Sequence, residues 1–313
     1  MIPIITALAY FSYFSFIFFI IALVFNMKKY ALTPAHLRWE LYPVPGEEGH
    51  KHGGSFLEKV DWWRGSVKIN IMTELSELFQ EMLFIKRLYR SKRRFWVLSF
   101  LFHGGIYLIL GWFVLIFIGG VEALMRVPVT SSMYAAIFYV TISFGYVGIS
   151  AATIGGIGLA IKRYYDVKLR DLSSPIDYFN LIFALVVMVS GIFALIYDPL
   201  FNTARTFMAY LLSGAGYIFS FNYSIRIYPA MILQLVLLCS FLIYVPFSRL
   251  THFLGKYFTY HKVLWNSQPS MQLGKFNDDY DLTDNLNLII PWSGTHIPTG
   301  KKWKEVRENE KSN

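Results

Sequence analysis

The sequence predicts an all-α integral membrane protein: a bundle of five transmembrane helices, with the N-terminus outside and a cytoplasmic C-terminal tail. Three observations carry this. The chain is 55% hydrophobic and only 16% charged, where a soluble domain carries about 25% charged residues. Five apolar runs are long enough for a hydrocarbon core of about 30 Å, which takes about 20 helical residues to cross. The cations are segregated: loops 27–94 and 162–176 and the tail 249–313 hold 26 of the 29 Lys and Arg, leaving only Arg126, Arg205 and Arg226 elsewhere.

The runs are 3–25, 95–121, 133–161, 178–197 and 227–244. The first has no basic n-region and is too long for a signal-peptide core, so it reads as a retained helix. The cation-rich side is cytoplasmic. This also explains the net charge of +9 without nucleic acid. The stretch 207–221 is short and interrupted by Ser213, Gly214 and Gly216. A sixth span there would put the basic tail outside, so it reads as an external reentrant or interfacial helix.

The cytoplasmic loop 27–94 is more than a linker. Pro43 and Pro45 exclude a regular helix around them. Residues 69–92 have helical spacing, with Leu75, Leu78, Phe79, Met82, Leu83 and Leu88 on one broad face. Such a helix can lie on the membrane surface or dock a partner. The tail carries Trp265, Trp292 and Trp303 in polar sequence, which implies buried tryptophans and something to pack against. The division is therefore a bundle, 1–261, and a partner-docking tail, 262–313.

Ionisable side chains in spans are costly and mark function. Of seven histidines, His36, His50, His52, His261 and His296 lie outside the hydrocarbon region. His103 and His252 remain. His103 is eight residues into the second span, roughly 12 Å at 1.5 Å per residue. If the fifth helix continues to about Phe258, His252 lies at a comparable depth from the same side. Two imidazoles facing each other across a bundle suit an iron with both axial positions filled, which carries electrons and does not activate oxygen. A packed core histidine or a proton path is the alternative reading of each. Gly104, Gly105 and Gly111 would let a flat macrocycle approach the backbone. The glycines of the third span, Gly145, Gly148, Gly155, Gly156 and Gly158, read as helix packing. Arg249, Arg93 and Arg94 are candidates for haem propionates, or ordinary flanking charge. The single cysteine, Cys239, excludes an iron–sulfur cluster or zinc site built from cysteines of this chain.

Residues 102–108 (FHGGIYL) and 246–252 (PFSRLTH) resemble the cytochrome b, or gamma, subunit of respiratory nitrate reductases. The resemblance is closest to the branch partnered with heterodisulfide-reductase-like iron–sulfur proteins. Residues 36–43 (HLRWELYP), 60–63 (VDWW) and 257–262 (YFTYHK) are similar to that branch. The resemblance implies five helices with the N-terminus outside, in a prokaryotic plasma membrane. It implies haem b on His103 and His252, exchange with menaquinone or another quinone, and electron transfer to a cytoplasmic iron–sulfur subunit. Terminal substrate chemistry would lie on another chain. The family's second haem has its ligands ten residues after the first motif histidine and eighteen before the second. Those positions are Phe113 and Gln234, so one haem is expected.

Two sets of groups could meet a quinone. On the outer side stand Glu122, Asp198 and Arg126, covered by 207–221. On the inner side stand Arg94, Ser248, Arg249 and His261. Electron distance favours the inner set. A non-redox membrane anchor for a cytoplasmic complex is the competing function. A transporter would show internal repeats, and the sequence has none.

Overall fold

The computed structural model describes residues 2–32, 71–214, 227–264 (side chains to 258), 287–293 and 299–305. The chain divides into two compact units, one of Met1–Leu32 with Ile69–Tyr260, the other of Thr33–Lys68 with His261–Asn313.

The first unit is helical among its described residues: α1 (Ile2–Leu32), α2 (Ile71–Phe84), α3 (Lys86–Ser91), α4 (Arg93–Leu124), α5 (Ser132–Tyr165), α6 (Val167–Asp171), α7 (Pro175–Tyr197), α8 (Asn202–Leu212), α9 (Pro229–Tyr244) and α10 (His252–Leu264). Five helices are long and apolar enough to span a membrane: α1, α4, α5, α7, and α9 extended to Phe247. These are the five expected. Large apolar side chains along them, such as Phe14, Val114, Ile154 and Phe193, are exposed, as a lipid-facing surface requires.

The bundle is knit by small residues. A Cβ on Gly105 would overlap the backbone of Ala152, and one on Gly155 the backbone of Phe102. α4 and α5 thus meet backbone to backbone, as small residues permit in lipid. Gly111 sits against the Phe144 ring, while Gly104 faces open space. The expectation that Gly105 and Gly111 make room for a macrocycle is therefore corrected: both are spent on α5. α7 opens with a capping box, Ser174 and Asp177, followed by Pro175, and this fixes its start sharply.

Three local departures matter for the site. The fifth helix does not run through to Phe258. It stops at Tyr244, passes through 3-10 turns at Val245–Phe247 and Arg249–Thr251, and restarts at His252. Pro246 has no amide hydrogen to continue the ladder, and the Ser248 hydroxyl accepts the Leu250 N–H at 3.1 Å. The helical stretch 69–92 is broken at Ile85, which is left-handed (φ 50°).

The third departure is the position and facing of α2. Its last carbonyls are taken by α4: Trp96 Nε1 donates to Phe84 O at 2.6 Å and Tyr107 Oη to Met82 O at 2.7 Å. α2 therefore ends alongside the spanning part of α4 instead of standing clear of it. Its buried face is Glu74, Leu78 and Glu81. Leu75, Phe79 and Leu83 point outward.

At the other end, α8 covers the start of the interrupted stretch, and the remainder, 215–221, lies outside the described residues, as does Arg226. In the second unit Ile290 is fully buried and its amide bonds Lys301 O at 2.9 Å. Trp292 and Trp303 are exposed on this chain, 49% and 39%, and their rings meet edge to face at 6.1 Å. His36, His50, His52, Trp265 and His296, and the motifs at 36–43 and 60–63, lie outside the described residues.

Candidate functional site

The site is built by α4, the turn after α9, and α10. His103 projects from α4 and His252 opens α10, and their ring centroids are 6.1 Å apart with the planes at 83°. The Pro246 break brings His252 there from a separate short helix. His103 is half-buried and His252 exposed.

Each ring is oriented by its own backbone. His103 Nδ1 lies 2.7 Å from Ser99 O, and His252 Nδ1 lies 3.1 Å from Arg249 O. A carbonyl only accepts, so in both rings Nδ1 carries the hydrogen and the lone pair falls on Nε2. A hydrogen bond of this kind fixes the orientation and tautomer of each ring and leaves the other nitrogen able to bind a metal. The separation also fits a shared metal. Two metal–nitrogen bonds of about 2.0 Å, each with about 1.1 Å from nitrogen to ring centre, put the centroids about 6.2 Å apart. The residues present thus fit a bis-imidazole iron. Among the described residues there is no group of three or more His, Cys, Asp or Glu suited to a metal, so no protein-only metal cage competes with the pair.

An ion pair with a buried carboxylate lies beside the histidines. Glu81 on α2 is 6% exposed. Its Oε1 accepts from Lys256 Nζ at 2.9 Å and its Oε2 from the Arg87 amide at 2.9 Å. Lys256 is one turn beyond His252 on α10 and within electrostatic reach of the His103 ring. Glu74, about two turns back on the same face of α2, is also buried. The sequence reading missed Glu81 and Lys256, because 69–92 read as a helix for the membrane surface or a partner, with its charges left to solvent. The i, i+4, i+7 spacing of Glu74, Leu78 and Glu81 was the available signal.

The other expected groups are placed as follows. Ser248 is buried; its hydroxyl donates to Val245 O at 2.9 Å and accepts the Leu250 amide, so it builds the turn before His252. Arg249 Nη1 reaches both carboxylate oxygens of Asp177 at 3.0 Å. Arg93 Nη2 bonds Tyr89 Oη at 2.6 Å, and Arg93 and Arg94 line a cavity that neither histidine lines. The side chain of His261 lies outside the described residues.

Phe113 packs edge on against Trp112 at 4.9 Å, and Gln234 Oε1 accepts the Ser190 hydroxyl. At the far end Glu122 and Arg205 are both buried. Arg205 Nη2 bonds Phe138 O at 3.3 Å and its guanidinium lies 4.4 Å from the centre of the Phe138 ring. Burial lowers the Arg205 pKa from its ordinary value. Among the described residues, Glu122 Oε1 and Arg205 Nη1 are buried without a hydrogen-bond partner. Asp198 Oδ2 accepts the Ala204 amide at 3.0 Å and so caps α8. Arg126 follows α4 with a left-handed backbone (φ 58°).

Comparison with known proteins adds one finding. A model of the nitrate reductase gamma subunit family matches residues 86–267. No curated protein and no solved structure matches the chain. The matched region is more than half of the chain and contains both His103 and His252 with the helices that carry them. The chain belongs to the nitrate reductase gamma subunit family, the haem-carrying membrane electron-transfer subunits of oxidoreductase complexes, and is a multi-pass protein of the prokaryotic plasma membrane.

Proposed function

We propose that this chain holds one haem b between His103 and His252 and passes electrons between the quinone pool and a cytoplasmic, heterodisulfide-reductase-like iron–sulfur subunit. The observation that carries the reading is the facing pair of imidazoles at 6.1 Å, each with Nδ1 tied to a carbonyl and Nε2 left as donor to a metal. A haem there supplies reversible one-electron transfer and no open position for substrate. The chain's own contribution is to fix both rings and to surround them with charge.

The Lys and Arg distribution supports placing the histidine end on the cytoplasmic side, with the N-terminus outside. Quinone exchange belongs near that end. Glu81 and Lys256 give it a buried carboxylate and a half-buried ammonium that can take or return a proton; Arg249 and His261 are the further candidates. Arg249, three residues before His252, is also the candidate for a haem carboxylate. The tail 262–313, with 31–92, is proposed as the dock for the iron–sulfur subunit.

The test is the absorption spectrum of the purified protein. One reducible low-spin haem per chain is expected in the wild type and none after His103→Ala or His252→Ala. Full haem in either variant, or no haem in the wild type, overturns the assignment. The wild-type result without haem would favour a non-redox anchor. Deleting residues 277–313 should release the partner from membranes and leave the haem spectrum intact; a partner that stays bound excludes the tail as dock.

A further inference from the structure

The N-terminus of α4 and the junction of α5 with α6 enclose a cavity of about 370 Å³ lined by Lys92, Arg93, Arg94, Lys162, Asp166 and Leu169, with Phe95 beneath. Four cations face one carboxylate. Asp166 is engaged: its Oδ2 lies 3.7 Å from Lys162 Nζ, and its Oδ1 accepts the Leu169 amide at 3.4 Å. Among the described residues no carboxylate pairs with Lys92, Arg93 or Arg94, although acidic side chains lie close by in the sequence on α2. The cavity therefore carries an uncompensated positive charge of about three.

Its location narrows the ligand. Arg93 and Lys162 stand where two spanning helices end, which is headgroup level. One step toward the membrane interior, Val97 and Ile161 are 47% and 54% exposed, so apolar surface suited to lipid follows the cavity's cations on both helices. The Lys162 ammonium lies 6.0 Å from the centre of the Phe95 ring, which holds it between the cavity and the apolar shoulder. A ligand with an anionic head and apolar tails matches both halves. Basic pockets between spanning helices bind the phosphates of acidic lipids in this way.

We propose that this cavity binds the phosphate of an anionic phospholipid, with the acyl chains lying along Val97 and Ile161. Arg93 and Arg94 then serve a structural lipid that seats the α4–α5 pair at the interface, and the haem edge is left to Arg249. The guanidiniums can grip the phosphate oxygens through paired hydrogen bonds, which an ammonium cannot do.

The experiment uses the full-length protein in phosphatidylcholine nanodiscs containing a minor fraction of phosphatidylglycerol, extracted gently and weighed by native mass spectrometry. The wild type should retain one phosphatidylglycerol in preference to the more abundant phosphatidylcholine. The pair Arg94→Gln with Lys162→Gln should lower that retention about tenfold. The pair Lys168→Gln with Arg170→Gln, which removes equal charge from the same connection but outside the cavity, should leave it unchanged. Three results overturn the proposal. The first is equal retention of the two lipids by the wild type. The second is an equal loss in both double variants, which would mean a general surface charge effect. The third is full displacement of the lipid by millimolar inorganic phosphate, which would mean a site for the free ion. If the cavity variant does not fold, the wild-type lipid preference and the phosphate competition decide alone.

Discussion

The same two limbs of the bundle, α4 and the α9–α10 strand of chain, carry two levels that differ in one respect. At the level of His103 and His252 two imidazoles stand with ring centroids 6.1 Å apart, each Nδ1 tied to a backbone carbonyl. At the level of Phe113 and Gln234 the space is used by the protein itself: the Phe113 ring packs on Trp112, and Gln234 ties α9 to α7 through Ser190. The difference teaches what the proposed cofactor site would cost. Packing in lipid depends on close contact and hydrogen bonds between helices. A level that keeps two polar rings facing each other forgoes that packing, and here it is braced from outside by α2, whose last carbonyls are held by Trp96 and Tyr107.

The comparison breaks most sharply on haem stoichiometry. Two haems per chain would mean that the Phe113 and Gln234 level holds a cofactor by other means. A single haem, lost entirely in His103→Ala, keeps the two levels distinct.

The next largest effect concerns the two buried carboxylates. Glu81 lies beside the histidine level and is fully engaged, with Lys256 and the Arg87 amide. Glu122 lies at the far end with one oxygen unpartnered among the described residues. If proton exchange with quinol takes place near the histidines, Glu81→Gln should slow quinol-driven haem reduction by at least about tenfold, and Glu122→Gln should change it by less than about twofold. Stopped-flow reduction of the purified variants measures both. A crippled Glu122→Gln with an intact spectrum would move the quinone to the opposite end.

Two neighbouring glycines sharpen the packing side of the contrast. Gly105→Ala forces a methyl into the Ala152 backbone, whereas Gly104→Ala meets nothing within 4 Å. The first should cost about 1–3 kcal/mol. The second should be neutral or stabilise α4 by up to about 1 kcal/mol, because alanine loses less entropy in a helix. Thermal loss of the haem spectrum reports both, and equal midpoints would mean that α4 and α5 separate more easily than their contact implies.

The five spans were legible because composition alone specifies them: about 20 consecutive apolar residues have few other uses. His103 stood out because imidazole in a span is rare; His252 lies beyond the fifth span, which ends at Phe247, and was singled out by the depth expected of a continuous helix and by the motif 246–252. What the sequence concealed was tertiary. Pro246 lies only two residues past the end of an apolar run, and nothing local shows whether the chain kinks or stops there. Ile85 is a residue type that resists a left-handed backbone, so the break between α2 and α3 has no local signal; the carbonyl bonds from Trp96 and Tyr107 terminate α2 from outside. The burial of Glu81 depends on Lys256, 175 residues away. Hydrophobic periodicity placed the leucines of α2 on one face; in the structure Leu75, Phe79 and Leu83 are exposed while Glu74, Leu78 and Glu81 are buried.

The smallest expected effect separates two roles of Arg249. Its guanidinium bridges to Asp177 but its side chain is 67% exposed, and an exposed pair contributes about 0–1 kcal/mol. Asp177 also accepts from the Ser174 amide and hydroxyl at 2.9 and 2.8 Å, so the cap of α7 survives without the arginine. Arg249→Gln should therefore move the thermal midpoint by only about 2 °C. Removing a cation near an iron favours the more highly charged ferric state, so the same variant should lower the haem midpoint potential, on the order of 30–60 mV for a one-electron couple. A lowered potential with the midpoint temperature unchanged puts Arg249 at the haem edge. A lowered midpoint temperature with the potential unchanged makes it a strut between α7 and the turn that presents His252, and leaves the charge around the iron to Lys256.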